Sequence, residues 1–374
     1  MKIIYSGFDT IQFAIQGAAN PETIKYLDIH KEIASKAQRD IPVSFGGNTR
    51  RGLIAPTGTK GGYAYILKFD GVLGHVIQLK RNLNRERWNA HVKIRALALA
   101  TYGLNEMKAR VFSDLAAIGF SEHGVSLSRI DYAMDFLNAG IALDPTHFVT
   151  HSRVKKAAHK FEINTNSRGQ SYESITLGKN PNRQIIVYDK RGEVIAKRNP
   201  AWFEFWDIHP KDMTQTVHRV EIRLFKNELK KRELRTFDDL RTKVIAAMIH
   251  AAEVIRYVTP REEDQNISRW PNHPLWDHVQ AHVSAHVLRN PNYVDPARVK
   301  LVIRAQKALE SKKQVLGNMA NLSVFEDMDP TQMKKEMTKF VQAQFSEIEA
   351  NDSHPFWKSR AKTQDRFSFI KGGG

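Results

Sequence analysis

The sequence contains no cysteine, no long apolar segment and no recognisable nucleotide-binding loop. Without cysteine there can be no disulfide framework, no thiolate zinc site and no cysteine nucleophile. No run approaches the roughly 20 apolar residues of a membrane-spanning helix, and the first residues lack the apolar segment of a signal peptide. We therefore expect a cytoplasmic protein without membrane association. The Gly-rich stretch at residues 44–62 has the spacing of neither a P-loop nor a dinucleotide fingerprint, and we interpret it as a basic hairpin turn.

The chain is strongly basic. Its 374 residues include 57 Lys and Arg against 40 Asp and Glu, which gives a formal net charge of +17. A field of this sign favours polyanions, most often nucleic acid. A merely basic soluble protein is the alternative interpretation.

Two stretches alternate strictly between apolar and charged residues: SRIDYAMDF at 128–136 and HRVEIRL at 218–224. Side chains on a β-strand alternate between its two faces, so each stretch predicts a strand with one apolar and one charged face. The charged faces carry three arginines and three carboxylates: Arg129, Asp131, Asp135, Arg219, Glu221 and Arg223.

A third stretch, SITLGKNPNRQIIVYDKRGE at 174–193, predicts two strands joined by a Gly/Asn/Pro turn. Its alternation places Tyr188 and Lys190 on one face. If the three stretches are neighbours in one sheet, these two side chains converge with Asp131 and Glu221. Carboxylate oxygens suit a hard divalent cation, and a tyrosine beside such a cation is a candidate nucleophile toward a phosphate. A strand-end aromatic among solvated charges is the alternative.

In their order and spacing, these three stretches resemble the replication initiation factors of plasmids and filamentous phages, the Rep-trans family, and the related relaxases of conjugative elements. The opening GFDTIQFAIQG is similar to the start of the phage members. The resemblance implies that Tyr188 is the DNA-nicking nucleophile. It further implies that Asp131 and Glu221 serve a divalent metal ion, Mg²⁺ or Mn²⁺.

Other charged residues of these strands are candidates for supporting roles. Lys190 is expected to lower the pKa of Tyr188 or to contact a phosphate oxygen, and Asp135 and Glu193 are secondary candidates. Asp135 is about 13 Å along its strand from Asp131, too far to share one ion with it. Four arginines are candidate contacts to the DNA backbone: Arg129, Arg183, Arg219 and Arg223. One departure is the lack of an H-x-H pair, so the two-histidine metal chemistry of other rolling-circle nickases is not available by motif.

We expect an α+β fold in which a mixed or antiparallel sheet with covering helices is followed by a mainly helical C-terminal region. Residues 1–235 would form the catalytic nicking domain, 236–350 a helical DNA-binding or accessory region, and 351–374 a tail. Within the first domain, the sequence also predicts a helix over residues 144–160 and a polar turn over 164–170.

The implied function is initiation of rolling-circle replication, by origin binding and nicking of one strand through a covalent 5′-phosphotyrosyl intermediate. A conjugative relaxase shares this chemistry, and a non-catalytic origin-binding regulatory protein is the alternative from another class. The expected partner is DNA, as origin duplex and as single strand, in a bacterial host cell. A host helicase and a polymerase are further candidate partners, and a homodimer is left open.

Two other features have a functional and a structural interpretation. Trp88, between basic residues, could stack on a base of single-stranded DNA, but packing at a sheet edge is favoured. His278, His282 and His286 recur once per turn of a predicted helix and could bind zinc. No HExxH motif accompanies them, so satisfied or solvated histidines are favoured.

Overall fold

The structure of the protein, a computed structural model, describes residues 1–141, 144–150, 158–162, 172–288 and 294–370. The chain divides into two compact units, Met1–Pro296 and Ala297–Gly374. No helix in the described part of the chain is long and apolar enough to cross a membrane.

The first unit is built on one large antiparallel sheet of eleven strands and a small two-stranded sheet. The strands are β1 (Lys2–Ala19), β2 (Ile41–Phe45), β3 (Arg50–Ile54), β4 (Tyr65–Lys68), β5 (His75–Leu79), β6 (Trp88–Ile94), β7 (Phe120–Leu137), β8 (Phe148–Thr150), β9 (Ala158–Glu162), β10 (Tyr172–Lys179), β11 (Arg183–Asp189), β12 (Val217–Phe225) and β13 (Ile255–Tyr257). Across the large sheet the order is β2-β3-β4-β5-β6-β1-β7-β12-β11-β10-β9, and β8 pairs with β13. The two longest strands, β1 and β7, lie side by side at its centre.

The helices of the protein are α1 (Pro21–Ala37), α2 (Ala96–Ile118), α3 (Lys190–Ala196), α4 (Trp202–Trp206), α5 (Lys226–Lys231), α6 (Phe237–Val254), α7 (Pro274–His286), α8 (Pro296–Phe325), α9 (Pro330–Ala350) and α10 (Pro355–Arg366). Their ends follow from local chemistry. Asn20 caps α1 by accepting from the Thr23 N–H, and Thr236 with Asp239 forms a capping box at the start of α6. Gly119 ends α2 at φ +77°, where a Cβ would lie 2.4 Å from Asn20 Nδ2.

One face of the large sheet forms the hydrophobic core with the helices. Apolar residues of β1, β7 and β12 cluster there with those of α1, α2, α6 and α7. Residues 237–286 are therefore part of the same core as the sheet, and the first compact unit continues to Pro296. The functional boundary at residue 235 stays a prediction.

The predicted α+β class is confirmed, and the sheet is antiparallel. The prediction of a helix over residues 144–160 is wrong for both the first and the last residues of that range. Residues 145–147 form a 3₁₀ turn, while 148–150 and 158–162 are strands. Pairing of the β-branched and aromatic segment Phe148–Thr150 with β13 outweighs the capping pattern before it. The middle of that segment, with the turn predicted over 164–170, lies outside the described residues.

The second unit contains α8, α9 and α10. Asp329 and Gln332 form a capping box at the start of α9. The Trp357 indole N–H of α10 donates to the Ile348 carbonyl of α9 over 3.1 Å. The segment predicted as a tail thus contains a helix, Pro355–Arg366.

Candidate active site

The face of the sheet opposite the core brings the three predicted strands together. β12 lies between β7 and β11, and all three pair antiparallel. Arg223 lies opposite Asp131, and Glu221 opposite Ile186. The apolar residues that alternate with them along the same strands, including Ile130 and Ile222, belong to the core. The alternation predicted from the sequence therefore places the charged side chains on one surface.

Three carboxylates meet on this surface. Asp131 of β7, Glu221 of β12 and Asp9 of β1 each offer an oxygen, and the three oxygens lie within 4.8 Å of one another. The expected meeting of Asp131 and Glu221 is thus found in the structure. Asp9, the third member, was missed by the sequence analysis.

A β-bulge in β1 explains the position of Asp9. Phe8 lies opposite Tyr132 and Thr10 opposite Asp131, so Asp9 is an extra residue in β1. An extra residue shifts the alternation, so that Asp9 joins the polar face although strict alternation would put it with Ile11 in the core. The apolar positions change from even at Phe8 to odd at Ile11, and that change of parity was the signal available in the sequence.

Two arginines hold the carboxylates in place. The Arg129 Nε–H is 2.9 Å from both oxygens of Asp131. Arg223 donates from Nε and Nη2 to the two oxygens of Glu221 over 2.8 and 3.0 Å, and its Nε lies 3.6 Å from Asp131. Both arginines are partly exposed, so their predicted contact with the DNA backbone stays a prediction.

Arg219 is buried, which corrects its predicted role as a DNA contact. Its guanidinium donates to Asp135 from Nε and Nη2, over 2.5 and 2.8 Å, and from Nη1 to Asp9 over 2.6 Å. It also lies 4.4 Å from the centre of the Trp202 ring. Facing inward, Arg219 positions Asp9 and cannot reach a DNA backbone.

The remaining predicted residues fall into two places. Asp135 accepts from Arg219 and from the Trp206 indole N–H at 2.7 Å, and it is not a member of the carboxylate cluster. Arg183 alternates with Tyr188 along β11, so it points to the other face, where its Nη1 donates to Glu228 over 3.0 Å. The structure does not bring Arg183 to the site.

The ionisation of the three carboxylates is unequal. Burial raises the pKa of Asp9, and the charge of Glu221 adds to the effect. Burial also raises the pKa of Asp131 to about 8, against the opposing hydrogen bond from Arg129. Burial acts to raise the pKa of Glu221 as well, but Arg223 outweighs it and leaves that pKa below its ordinary value. Negative charge on all three residues at once is therefore costly without a bound cation.

Tyr188 and Lys190 line a cavity of about 560 Å³, and Asp9 and Glu221 also line it. Tyr188 is 8% exposed. Burial raises its pKa well above the ordinary value, and the opposing effect comes first from Arg219. Arg219 is thus the main cation that lowers this pKa, and the two expected roles of Lys190, toward the tyrosine or toward a phosphate oxygen, stay predictions.

Lys190 is the first residue of α3 and is buried beside the tyrosine. Its Nζ lies 5.6 Å from the centre of the Tyr188 ring and 4.7 Å from that of Trp202. It donates to Glu193 over 2.7 Å. Burial and the charge of Arg219 lower the pKa of Lys190, so Glu193 is what keeps this ammonium paired at the wall of the cavity.

Glu193 should make the stability of the protein depend on pH. Burial acts to raise its pKa, but Lys190 and Lys197 outweigh it and lower the pKa to about 2, from an ordinary value of 4.5. A depressed folded pKa contributes stability above the unfolded pKa, and that stability is lost as the pH falls through the folded value. The free energy of unfolding of Glu193→Gln, measured by urea denaturation, should therefore fall furthest below that of the parent above about pH 5, and the gap should shrink toward pH 3. Glu32→Gln, at the exposed ion pair with Lys36, is the control with little effect at any pH. A gap that is equal at pH 3 and pH 6 would contradict this role of Glu193.

The predicted histidine stripe lies outside the cluster of carboxylates. In the described part of the chain, Asp9, Asp131 and Glu221 are the only group of three potential ligands close enough to share an ion. The His282 Nε2 lies 3.3 Å from the Tyr132 hydroxyl, and burial lowers the pKa of His282 to about 4. The interpretation of the three histidines as satisfied or solvated side chains stays a prediction.

No protein-family model and no curated protein matches the chain. Among solved structures it is similar to a rolling circle replication initiator protein from Geobacillus stearothermophilus, with a TM-score of 0.44 and 16% sequence identity. The match covers 76% of this chain and 98% of that one. A similarity of this extent establishes neither a common family nor a common activity. The resemblance to the Rep-trans family therefore stays a prediction.

Proposed function

We propose that this protein nicks one strand of DNA through Tyr188, with a divalent metal ion held by Asp9, Asp131 and Glu221, and thereby initiates rolling-circle replication. One observation carries the proposal: a tyrosine and two of three clustered carboxylates line the same cavity of about 560 Å³. The net charge of +17 suits a DNA substrate.

The donor set fits Mg²⁺ or Mn²⁺. Three carboxylate oxygens within 4.8 Å of one another are hard ligands of the kind that these ions prefer. The raised pKa values of Asp9 and Asp131 add a reason, because a cation would stabilise the negative charges that burial disfavours. When bound, the ion supplies neutralisation of the phosphate charge. Arg129, Arg219 and Arg223 hold the ligands in position.

The proposed reaction is a transesterification. The Tyr188 hydroxyl oxygen forms a bond to the scissile phosphorus, and the bond from phosphorus to the 3′ oxygen breaks. On balance the phenol proton moves to the departing oxygen, which leaves a free 3′-OH and a 5′-phosphotyrosyl link. One phosphoester replaces another, so the same site can rejoin the strand without an external source of energy. The raised pKa of Tyr188 means that the phenol is protonated in the free protein.

A nicking assay tests this proposal. The full chain is incubated with supercoiled DNA carrying its origin, and with a single-stranded oligonucleotide from that origin, in Mn²⁺ or in a chelator. We expect a nicked circle, a free 3′-OH and a protein attached to the 5′ end, all of which need the metal. Strand cleavage that leaves 5′-phosphate ends and no protein–DNA adduct would contradict the tyrosine mechanism.

A non-catalytic origin-binding protein is the second candidate. The observation in its favour is that Arg129 and Arg223 already pair with Asp131 and Glu221. In that case the cluster is a set of structural ion pairs and binds no ion. Calorimetric titration of the protein with Mn²⁺ separates the two candidates without any DNA. A conjugative relaxase shares the chemistry of the first candidate and differs only in the DNA site that it cleaves.

A further inference from the structure

The polar face of the sheet extends beyond the candidate active site across β1, β6, β5 and β4. Half-exposed residues alternate with buried ones along β5 and β4, and Gln12 of β1 lies opposite Lys93 of β6. The helices that share the core, including α1 and α2, pack on the other face. On the polar face, Trp202 of α4 covers Tyr5 near the start of β1, with ring centres 5.2 Å apart. From Thr10 toward the C-terminal end of β1, and across β6, β5 and β4, the polar face continues from the candidate site; we call this part the open face.

This open face begins with positive charge beside the carboxylates. Gln12 lies opposite both Lys93 and Arg129, on the two strands that flank β1. Lys93 is exposed, and within the described residues its ammonium has no ion pair or hydrogen bond. Although the side chain as a whole is exposed, partial burial of its ammonium lowers the pKa of Lys93, and the charges of Arg129 and Arg95 lower it further. Like charges gathered in this way are stabilised by an anion, for which a phosphate is the natural candidate.

Aromatic and basic side chains follow farther across the face. His91 shares the face of Lys93 on β6, and its ring centre is 6.0 Å from that of Tyr63. Lys80 Nζ lies 5.1 Å from the centre of the same tyrosine ring. Trp88, opposite Gln16 and so on the same face, is 41% exposed. Its exposure favours base stacking over the edge packing that was preferred from the sequence.

We propose that this open face, with Lys93, Lys80, Tyr63 and Trp88 as its contacts, binds the single strand of DNA that flanks the phosphate cleaved at Tyr188. The two lysines would contact phosphates and the two aromatic residues would stack on bases. A broad sheet face presents its aromatic rings only to unpaired bases, which favours a single strand over a duplex. From β7 to β5 there are three strand spacings, about 14 Å, so the path continues directly from the carboxylate cluster.

The binding proposal rests on the proposed function only for the identity of the ligand, which is DNA. The following experiment can therefore fail for one of the two proposals without failing for the other. Binding is measured in the Tyr188→Phe chain, so that no cleavage contributes, by anisotropy of a fluorescent oligo(dT) of about 16 nucleotides. Lys80→Gln with Lys93→Gln should reduce the slope of log K against log salt by about 0.7 for each lost phosphate contact. Trp88→Ala should weaken binding at least about fivefold.

Matched controls lie on α1, on the helical side of the sheet. Lys25→Gln with Lys36→Gln removes the same charge, and Ile29→Ala truncates a side chain that is 59% exposed; both should leave binding unchanged. If the face variants change binding no more than these controls, or if a duplex of equal length binds as tightly and with the same sensitivity, the proposal is wrong. The same holds if the parent chain binds no single strand.

A measurement on the unmutated face guards against misfolded variants. An oligonucleotide containing 5-iodouracil should crosslink under ultraviolet light to peptides that contain Trp88 or Tyr63. Crosslinks confined to other peptides would overturn the assignment. Should the chain cleave DNA while the face variants bind as the parent does, the face proposal fails and the nicking proposal stands. If the face variants lose binding but the parent chain never cleaves DNA, the face proposal stands and the nicking proposal fails.

Discussion

Tyr188→Phe is expected to abolish both strand cleavage and the covalent protein–DNA adduct, while folding and DNA binding persist. The substitution removes one oxygen and little volume from a side chain that is 8% exposed, so the packing of the cavity should change little. The phenol oxygen is the proposed nucleophile, and no other atom of the side chain can replace it. Cleavage is measured on single-stranded and supercoiled DNA, the adduct by denaturing gel electrophoresis, and the fold by circular dichroism and thermal unfolding.

Tyr132→Phe is the matched control, since it removes the same oxygen from a buried tyrosine on the core face of β7. Cleavage should survive that change. An adduct that persists in Tyr188→Phe, or one that peptide mass spectrometry places on Tyr132 or Tyr172, would show that the nucleophile has been assigned to the wrong residue. Loss of origin binding in Tyr188→Phe would instead indicate a structural role for the hydroxyl.

The charged surface could be predicted because strand alternation is a local property. Asp131 and Glu221 each sit in a strand whose apolar residues define the buried face, so their common side follows from the sequence alone. That the strands adjoin does not follow from the sequence, since the order β7-β12-β11 depends on tertiary pairing. The position of Tyr188 beside the carboxylates depends on both the alternation within β11 and the order of the strands in the sheet.

Asp9 and Arg219 mark where the sequence analysis failed. A β-bulge is set by the pairing of β1 with β7 and changes the face on which a residue lies, so counting by two misplaces Asp9. Arg219 was assigned to the correct face, but its depth depends on Tyr5 and on α4, which cover it. Alternation gives the side of a sheet, and it does not give burial.

The helices after residue 235 illustrate a third kind of difference. The expectation of a mainly helical region is confirmed, but helical character alone does not show which surface the apolar side of each helix covers. In the structure, Leu240 and Val244 of α6 and Trp276 of α7 belong to the core cluster of the sheet. The first compact unit therefore extends past residue 235 to Pro296.

Asp9→Asn is expected to weaken Mn²⁺ binding by at least about 100-fold and to reduce strand cleavage to a similar degree. The amide removes one of three anionic ligands, while its oxygen can still accept the hydrogen bond that Asp9 receives from Arg219 over 2.6 Å. The change is thus directed at the cation and preserves most of the local packing. Binding is measured by calorimetric titration with Mn²⁺ alone, so the result does not depend on any nicking activity.

Asp135→Asn is the matched control because Asp135 is the other carboxylate partner of Arg219 and lies outside the cluster. It should lower the thermal stability of the protein, since a buried charge pair loses one partner, and it should leave the affinity for Mn²⁺ unchanged within a few fold. If both variants weaken Mn²⁺ binding equally, the effect comes from the orientation of Arg219 and Asp9 is not a ligand. If neither variant changes Mn²⁺ binding, the three carboxylates do not hold the ion, and the structural ion pairs of a non-catalytic protein are the better explanation of this surface.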